Sequence, residues 1–117
     1  MARKVSNERS VKVSVPANTT IEAGDFVYLG GFLGMALSSV KTGAGETSEV
    51  VLEISSGVYE IEDSKIEGTL TKGEKVYFNP ETGKFTNSST DTILAGVVVD
   101  VFNGGVYIWF NPVLALI

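Results

Sequence analysis

The chain has 117 residues, 44% of them hydrophobic, with a mean hydropathy of +0.21, which fits one domain with a single core and excludes a disordered chain. Nine Lys and Arg face fourteen Asp and Glu, for a net charge of −5, and there is neither cysteine nor histidine. Disulfides, thiolate metal sites and the commonest general base near neutral pH are thereby excluded. No apolar run approaches the roughly 18 residues of a membrane span. Met1 to Arg9 lacks the apolar centre of a signal peptide, so neither a membrane partner nor an export route of its own is expected.

Residues 1–9 are polar and aperiodic and read as a basic N-terminal arm, with residues 10–117 as a single β-rich domain. In the first twelve residues Arg3, Lys4, Arg9 and Lys12 oppose only Glu8, a charge of +3. The remaining 105 residues hold five cations and thirteen anions, a charge of −8. An acidic body repels phosphate, so nucleic acid is not an expected partner. A basic arm suits an acidic protein partner; the alternative is an ordinary solvated terminus.

Ser10 to Val15 alternates cleanly, with Val11, Val13 and Val15 on one face, and predicts a half-buried strand. Pro16 to Thr20 ends it. Asp25 to Leu29 is β-rich, Gly30-Gly31 has the composition of a two-residue hairpin turn, and Phe32 to Leu37 is the return strand. Gly34 inside that strand marks a bulge or a close backbone approach. The glycine-containing loop from Lys41 to Ser48 offers little apolar surface and reads as mobile. Glu49 to Ile54 and Gly57 to Ile61 predict a second hairpin about Ser55-Ser56. Glu62 to Lys65 is a polar connection with room for one helical turn.

Leu70 to Phe78 repeats the pattern of Ile21 to Leu29 at an offset of 49 residues: apolar anchor, Gly plus acid, then a Val-Tyr strand. The spacing predicts a repeated hairpin unit. Glu74 to Asn79 and Lys84 to Thr86 flank the turn Pro80-Glu81-Thr82-Gly83. Ile93 to Phe102 is the longest strand, Asn103-Gly104 is the dipeptide preferred in type I′ turns, and Gly105 to Phe110 returns. Strict alternation would place Val97, Val99 and Val101 on one face and Val98 and Asp100 on the other. Tyr107 and Trp109 share one face of the last strand, Val106, Ile108 and Phe110 the other. Both faces are apolar, so the strand is covered twice or one side is an interface. No segment has a 3.6-residue period. The expected fold is all-β: a small antiparallel β-barrel or sandwich built from short hairpins, with an extended N-terminal arm.

Catalytic readings find little support. Gly30-Gly31-Phe32-Leu33-Gly34 and Gly43-Ala44-Gly45-Glu46 lack the Lys and the following helix of a phosphate loop. No lysine lies in an apolar run that would activate it as a base. Glu60, Glu62, Asp63 and Ser64 offer oxygen ligands without the spacing of a calcium loop. Tyr28, Tyr77, Tyr107, Trp109 and Phe110 lack the interleaved cations of a nucleic-acid stacking platform and read as core aromatics. No catalytic residue, metal or cofactor is expected, and the chain is not expected to be an enzyme. The apolar tail from Pro112 to Ile117 points to packing on the chain's own fold or on a neighbouring subunit.

The ordered set of strand signatures resembles a family of small tailed-phage head proteins, the capsid cement or head-decoration proteins. Gly24-Asp25-Phe26-Val27 leading to Gly31-Phe32-Leu33-Gly34-Met35-Ala36 is similar to that family's first pair of strands. Gly57-Val58-Tyr59-Glu60-Ile61, Gly73-Glu74-Lys75-Val76-Tyr77-Phe78 and Leu94-Ala95-Gly96-Val97-Val98 are similar to later ones. The likeness runs from about Val11 to Phe110, with Met35 where the family usually has Val and with a longer apolar C-terminus. Some members carry a RecA/RadA-like recombinase label, but no Walker A sequence is present here.

The resemblance implies a virion protein, made in the bacterial host cytoplasm, that binds the exterior of the capsid through the major capsid protein and stabilises it, often as a homotrimer. On that reading Arg3, Lys4, Arg9 and Lys12 dock on the capsid. Trp109, Phe110, Val113, Leu114, Leu116 and Ile117 form the subunit interface. The alternatives are another virion component, of the tail or of head completion, and a β-barrel module for nucleic acid or peptide.

Overall fold

The computed structural model describes residues 10–112 and 114. The strands among them are β1 (Ser10–Val15), β2 (Thr20–Ile21), β3 (Phe26–Leu29), β4 (Phe32–Ala36), β5 (Val40–Lys41), β6 (Ser48–Glu53), β7 (Gly57–Glu62), β8 (Lys75–Asn79), β9 (Lys84–Thr86), β10 (Ile93–Phe102) and β11 (Gly105–Phe110). A 3-10 turn, Asp63–Lys65, fills the polar connection after β7. A four-stranded sheet runs β1-β6-β4-β3, a five-stranded sheet runs β7-β11-β10-β8-β9, and β2 pairs with β5 as a short ribbon. All of these pairings are antiparallel.

The four-stranded sheet uses both of its faces. Val13, Val15, Val50, Leu52 and Ala36 bury one face in a core with Ile21 of the ribbon. The sheet coils around this core: a Cβ on Gly30, in the β3–β4 turn, would lie 3.7 Å from Val13 Cγ1 on β1. Gly34 permits the coil. A Cβ there would sit 2.7 Å from the Glu53 carbonyl oxygen, so the glycine marks a close backbone approach, and the β3–β4 register runs through it unbroken.

On the opposite face Phe26 and Leu33 enter a second core with the inner side of the five-stranded sheet. Phe26 is the joint. Its ring stands edge-on to Tyr59, Phe85 and Phe110, with centroids 5.3, 5.2 and 5.1 Å away, the separation and tilt that aromatic quadrupoles favour. Among the described residues no ladder joins the two larger sheets. The fold is therefore sandwich-like, with one strongly coiled sheet, and not a closed barrel.

Several local expectations need correction. Ser55-Ser56 is not a hairpin turn. Both edges of β6 are taken, by β1 and β4, so the chain leaves that sheet and β7 pairs with β11. The Tyr59 hydroxyl donates to Ser55 O at 2.9 Å and pins the crossing. The Gly30-Gly31 turn has φ of 59° and 85°, as type I′ requires, whereas in Asn103-Gly104 only Gly104 has positive φ, so the second turn is not type I′. Val99 breaks the alternation of β10: the register shifts between Val98 and Asp100, which brings Asp100 opposite Tyr107. The start of the loop after Lys41, whose residues 44–48 are exposed, is anchored by a buried threonine. The Thr42 hydroxyl donates to Pro16 O at 2.5 Å and accepts the Thr19 N–H at 3.0 Å.

Both copies of the internal repeat lead into a hairpin, β3–β4 and β8–β9, and each enters its first strand through the same corner. Gly24 and Gly73 have φ of 92° and 87°. Their N–H groups donate to Ala36 O and Val98 O, each at 2.8 Å. Ala36 N–H and Val98 N–H in turn donate to Asp25 O and Glu74 O, at 2.8 and 2.9 Å. The acidic side chain accepts the N–H three residues back, Glu22 at 3.3 Å and Thr71 at 3.0 Å. The partners diverge: Ala36 lies on the return strand of its hairpin, Val98 on the neighbouring strand β10.

Candidate interaction surface

Alternation along β7 and β11 sets what the five-stranded sheet shows outward. Tyr59, Ile61, Val106, Ile108 and Phe110 turn inward, so Val58, Glu60, Tyr107 and Trp109 must turn outward. Cross-strand register then assembles them. Val58 pairs with Trp109, Trp109 with Val97, and Val97 with Lys75. Directly opposed residues share a face with Cβ atoms about 5 Å apart. The result is one row across four strands: Val58, Trp109, Val97, Lys75. Val58 is 63% exposed, Trp109 59% and Val97 36%.

Adjacent rows extend this face. Leu94 opposes Tyr77 on one side, and Glu60 opposes Tyr107, which opposes Asp100, on the other. The Phe102 and Tyr107 rings lie against each other with centroids 4.8 Å apart. A contiguous outward row with a central tryptophan is how a recognition surface differs from scattered exposed side chains.

Tyr107, Trp109, Tyr77 and Tyr28 are thus not core aromatics as expected; of that group only Phe110 is. The lack of interleaved cations argues against a stacking platform but does not bury a ring, and Tyr28, Tyr107 and Trp109 are exposed. Phe110 is itself a correction. It is 0% exposed and packs on Phe26 and Tyr59 of its own chain, so it has no surface to present to another subunit. Lys12 lies exposed on β1, opposite Val51, in the four-stranded sheet. Leu114 is half-buried, its N–H donating to Asn111 O at 3.1 Å. Arg3, Lys4, Arg9, Val113, Leu116 and Ile117 lie outside the described residues. Val58 and Val97 are surface residues that sequence reading missed. The signal was present in β7, where Val58 alternates in phase with Glu60 and Glu62.

A cleft of about 690 Å³ opens beside the joint, lined by Glu22, Asp25, Glu60, Glu62 and Lys65 among others. Lys65 Nζ lies 3.4 Å from Asp25 Oδ1. Among the described residues no group of three or more His, Cys, Asp or Glu is arranged to hold a metal ion, and Glu60, Glu62 and Asp63 are exposed. No described helix is long and apolar enough to cross a membrane.

A two-sheet β-fold whose most distinctive outward feature is an apolar, aromatic sheet face is built for contact with other macromolecules. The chain belongs to the phage cement protein family, whose model matches residues 5–106. It is a phage structural protein of the cement or decoration type, with a structural and not an enzymatic role. Membership places it in the virion and in contact with capsid components. Searches of curated proteins and of solved structures return no match.

Proposed function

We propose that the chain binds the exterior of the assembled capsid through the major capsid protein, as a homotrimer made in the bacterial host cytoplasm, and reinforces the shell. The observation that carries this reading is the match to the cement family over residues 5–106, and the open row of Val58, Trp109 and Val97 offers a contact face for the homotrimer. A reinforcing protein needs contact area, and apolar area removed from water contributes about 25 cal/mol per Å². Arg3, Lys4 and Arg9, with Lys12 where the chain enters β1, form the capsid-docking element. Leu114 and the residues after it belong to the subunit contact.

The test is co-sedimentation of the purified chain with expanded and unexpanded heads, followed by heating of the decorated heads. The expected result is saturable binding to expanded heads and a raised disruption temperature, because a ligand that binds only the intact shell stabilises it by mass action. Binding to tails or to head-completion sites in place of the shell would assign the chain to another part of the virion.

A further inference from the structure

We propose that the outward face of the five-stranded sheet is where one copy of this chain packs against the next. Trp109, Val58 and Val97 form the dry centre, and Glu60 and Glu62 of one copy lie against Lys75 and Lys84 of its neighbour. This deepens the homotrimer reading and rests on it for the number of copies.

Three observations lead to a second copy as the occupant. First, the face carries glutamates along one side and lysines along the other, with Asp100 of β10 as a further acid in the row of Glu60 and Tyr107. Glu60 and Glu62 lie on β7, at one edge of the sheet, and both are exposed. Lys75 on β8 shares the outward row of Val97. Lys84 on β9 neighbours the inward-facing Phe85 and so also turns outward. The apolar row runs between the strips, across β7, β11 and β10. A face that is acidic along one side and cationic along the other is complementary to itself, which a partner of a single charge sign would not be.

Second, the strips occupy opposite sides of one face. This is the arrangement of a head-to-tail ring, in which each copy gives its acidic side to one neighbour and its lysine side to the other. The apolar residues between the strips then turn toward a shared axis. Third, Lys12, the described cation nearest the N-terminus, lies on β1 in the other sheet. Self-association through β7–β11–β10–β8 therefore leaves Lys12, on β1, free for the capsid.

The sole tryptophan of the chain is Trp109, so emission excited at wavelengths that tyrosine does not absorb reports on this face alone. A dilution series of the full chain, followed by sedimentation velocity and by emission wavelength, is expected to show association with a blue shift as Trp109 leaves water. Val58→Asp places a carboxylate in the centre of the row. Association should weaken by at least about tenfold, as for a central contact, while circular dichroism stays unchanged, as does melting at dilutions where both chains are monomeric, because Val58 is exposed.

Glu60→Lys with Glu62→Lys should also dissociate the oligomer, and so should Lys75→Glu with Lys84→Glu. All four substitutions together should restore it. The proposal is overturned if the wild-type chain remains monomeric at its highest soluble concentration, if Trp109 emission is the same in monomer and oligomer, or if Val58→Asp leaves the oligomer intact. A fourfold variant that stays monomeric overturns the charge pairing. Failure of the capsid reading looks different: the chain self-associates as described and does not sediment with heads.

Discussion

Gly96 has no room for a methyl group. A Cβ there would lie 1.9 Å from the Trp109 carbonyl oxygen, and that oxygen belongs to the strand paired with β10. Relief would require parting the β10–β11 ladder. Gly96→Ala is therefore expected to destabilise the fold by about 3 kcal/mol or more. Gly31→Ala is the contrasting case: φ is +85° but nothing lies within 4 Å of the added carbon, so only left-handed strain of about 1–2 kcal/mol applies. Urea midpoints of the two variants check the order. Glu74 shows a second residue-level effect. The Thr71 N–H holds its carboxyl below the ordinary value, opposed by desolvation and aided by the Asn87 side chain and the Thr71 hydroxyl. Because the folded value is the lower one, the unfolded chain takes up the proton first. The stabilisation is complete above the ordinary value of 4.5 and is lost as pH falls through the folded value. Wild type should thus exceed Glu74→Gln in urea midpoint at neutral pH, and the gap should close in acid.

At the level of strands, Phe26 decides whether the two larger sheets stay together. It is the residue of β3 that enters the aromatic cage of Tyr59, Phe85 and Phe110. Phe26→Ala removes that ring from a site whose partners are held on three strands of the facing sheet, so a loss of about 3–5 kcal/mol is expected by denaturant titration. Tyr59→Phe, which removes only the hydroxyl bond to Ser55 O, should cost about 1 kcal/mol. The strand positions were legible because alternation and turn chemistry are local: Val11, Val13 and Val15 face inward as their spacing implies, and Gly30-Gly31 turns the chain where expected. Sheet membership was not legible. Ser55-Ser56 has the composition of a turn, but the occupied edges of β6, a long-range fact, send the chain across to the other sheet. The same holds for the interaction surface. Trp109 was visible as a candidate, whereas its alignment with Val58, Val97 and Lys75 depends on register among strands far apart in sequence, and the misplacement of Phe110 came from not knowing which face was inside.

For the whole molecule, the separation of charge makes attachment and self-association testable apart. The first twelve residues carry +3 and the remaining 105 carry −8, while the apolar row lies on the sheet that does not contain β1. Contacts made by exposed cations weaken as salt shortens the Debye length from about 10 Å at 0.1 M to about 3 Å at 1 M. Contacts made by Trp109 and Val58 do not weaken in this way, because hydrophobic association is insensitive to screening and is strengthened by excluded salts such as sulfate. Deleting Ala2 to Arg9 is therefore expected to lower affinity for heads and to flatten its dependence on salt, while melting temperature and Trp109 emission stay where they are. Val58→Asp should do the reverse, lowering the mass in solution and leaving the slope of head binding against salt unchanged. If the truncated chain binds heads as tightly as the full chain at every salt concentration, residues 2–9 are a solvated terminus, and attachment falls to the sheet faces.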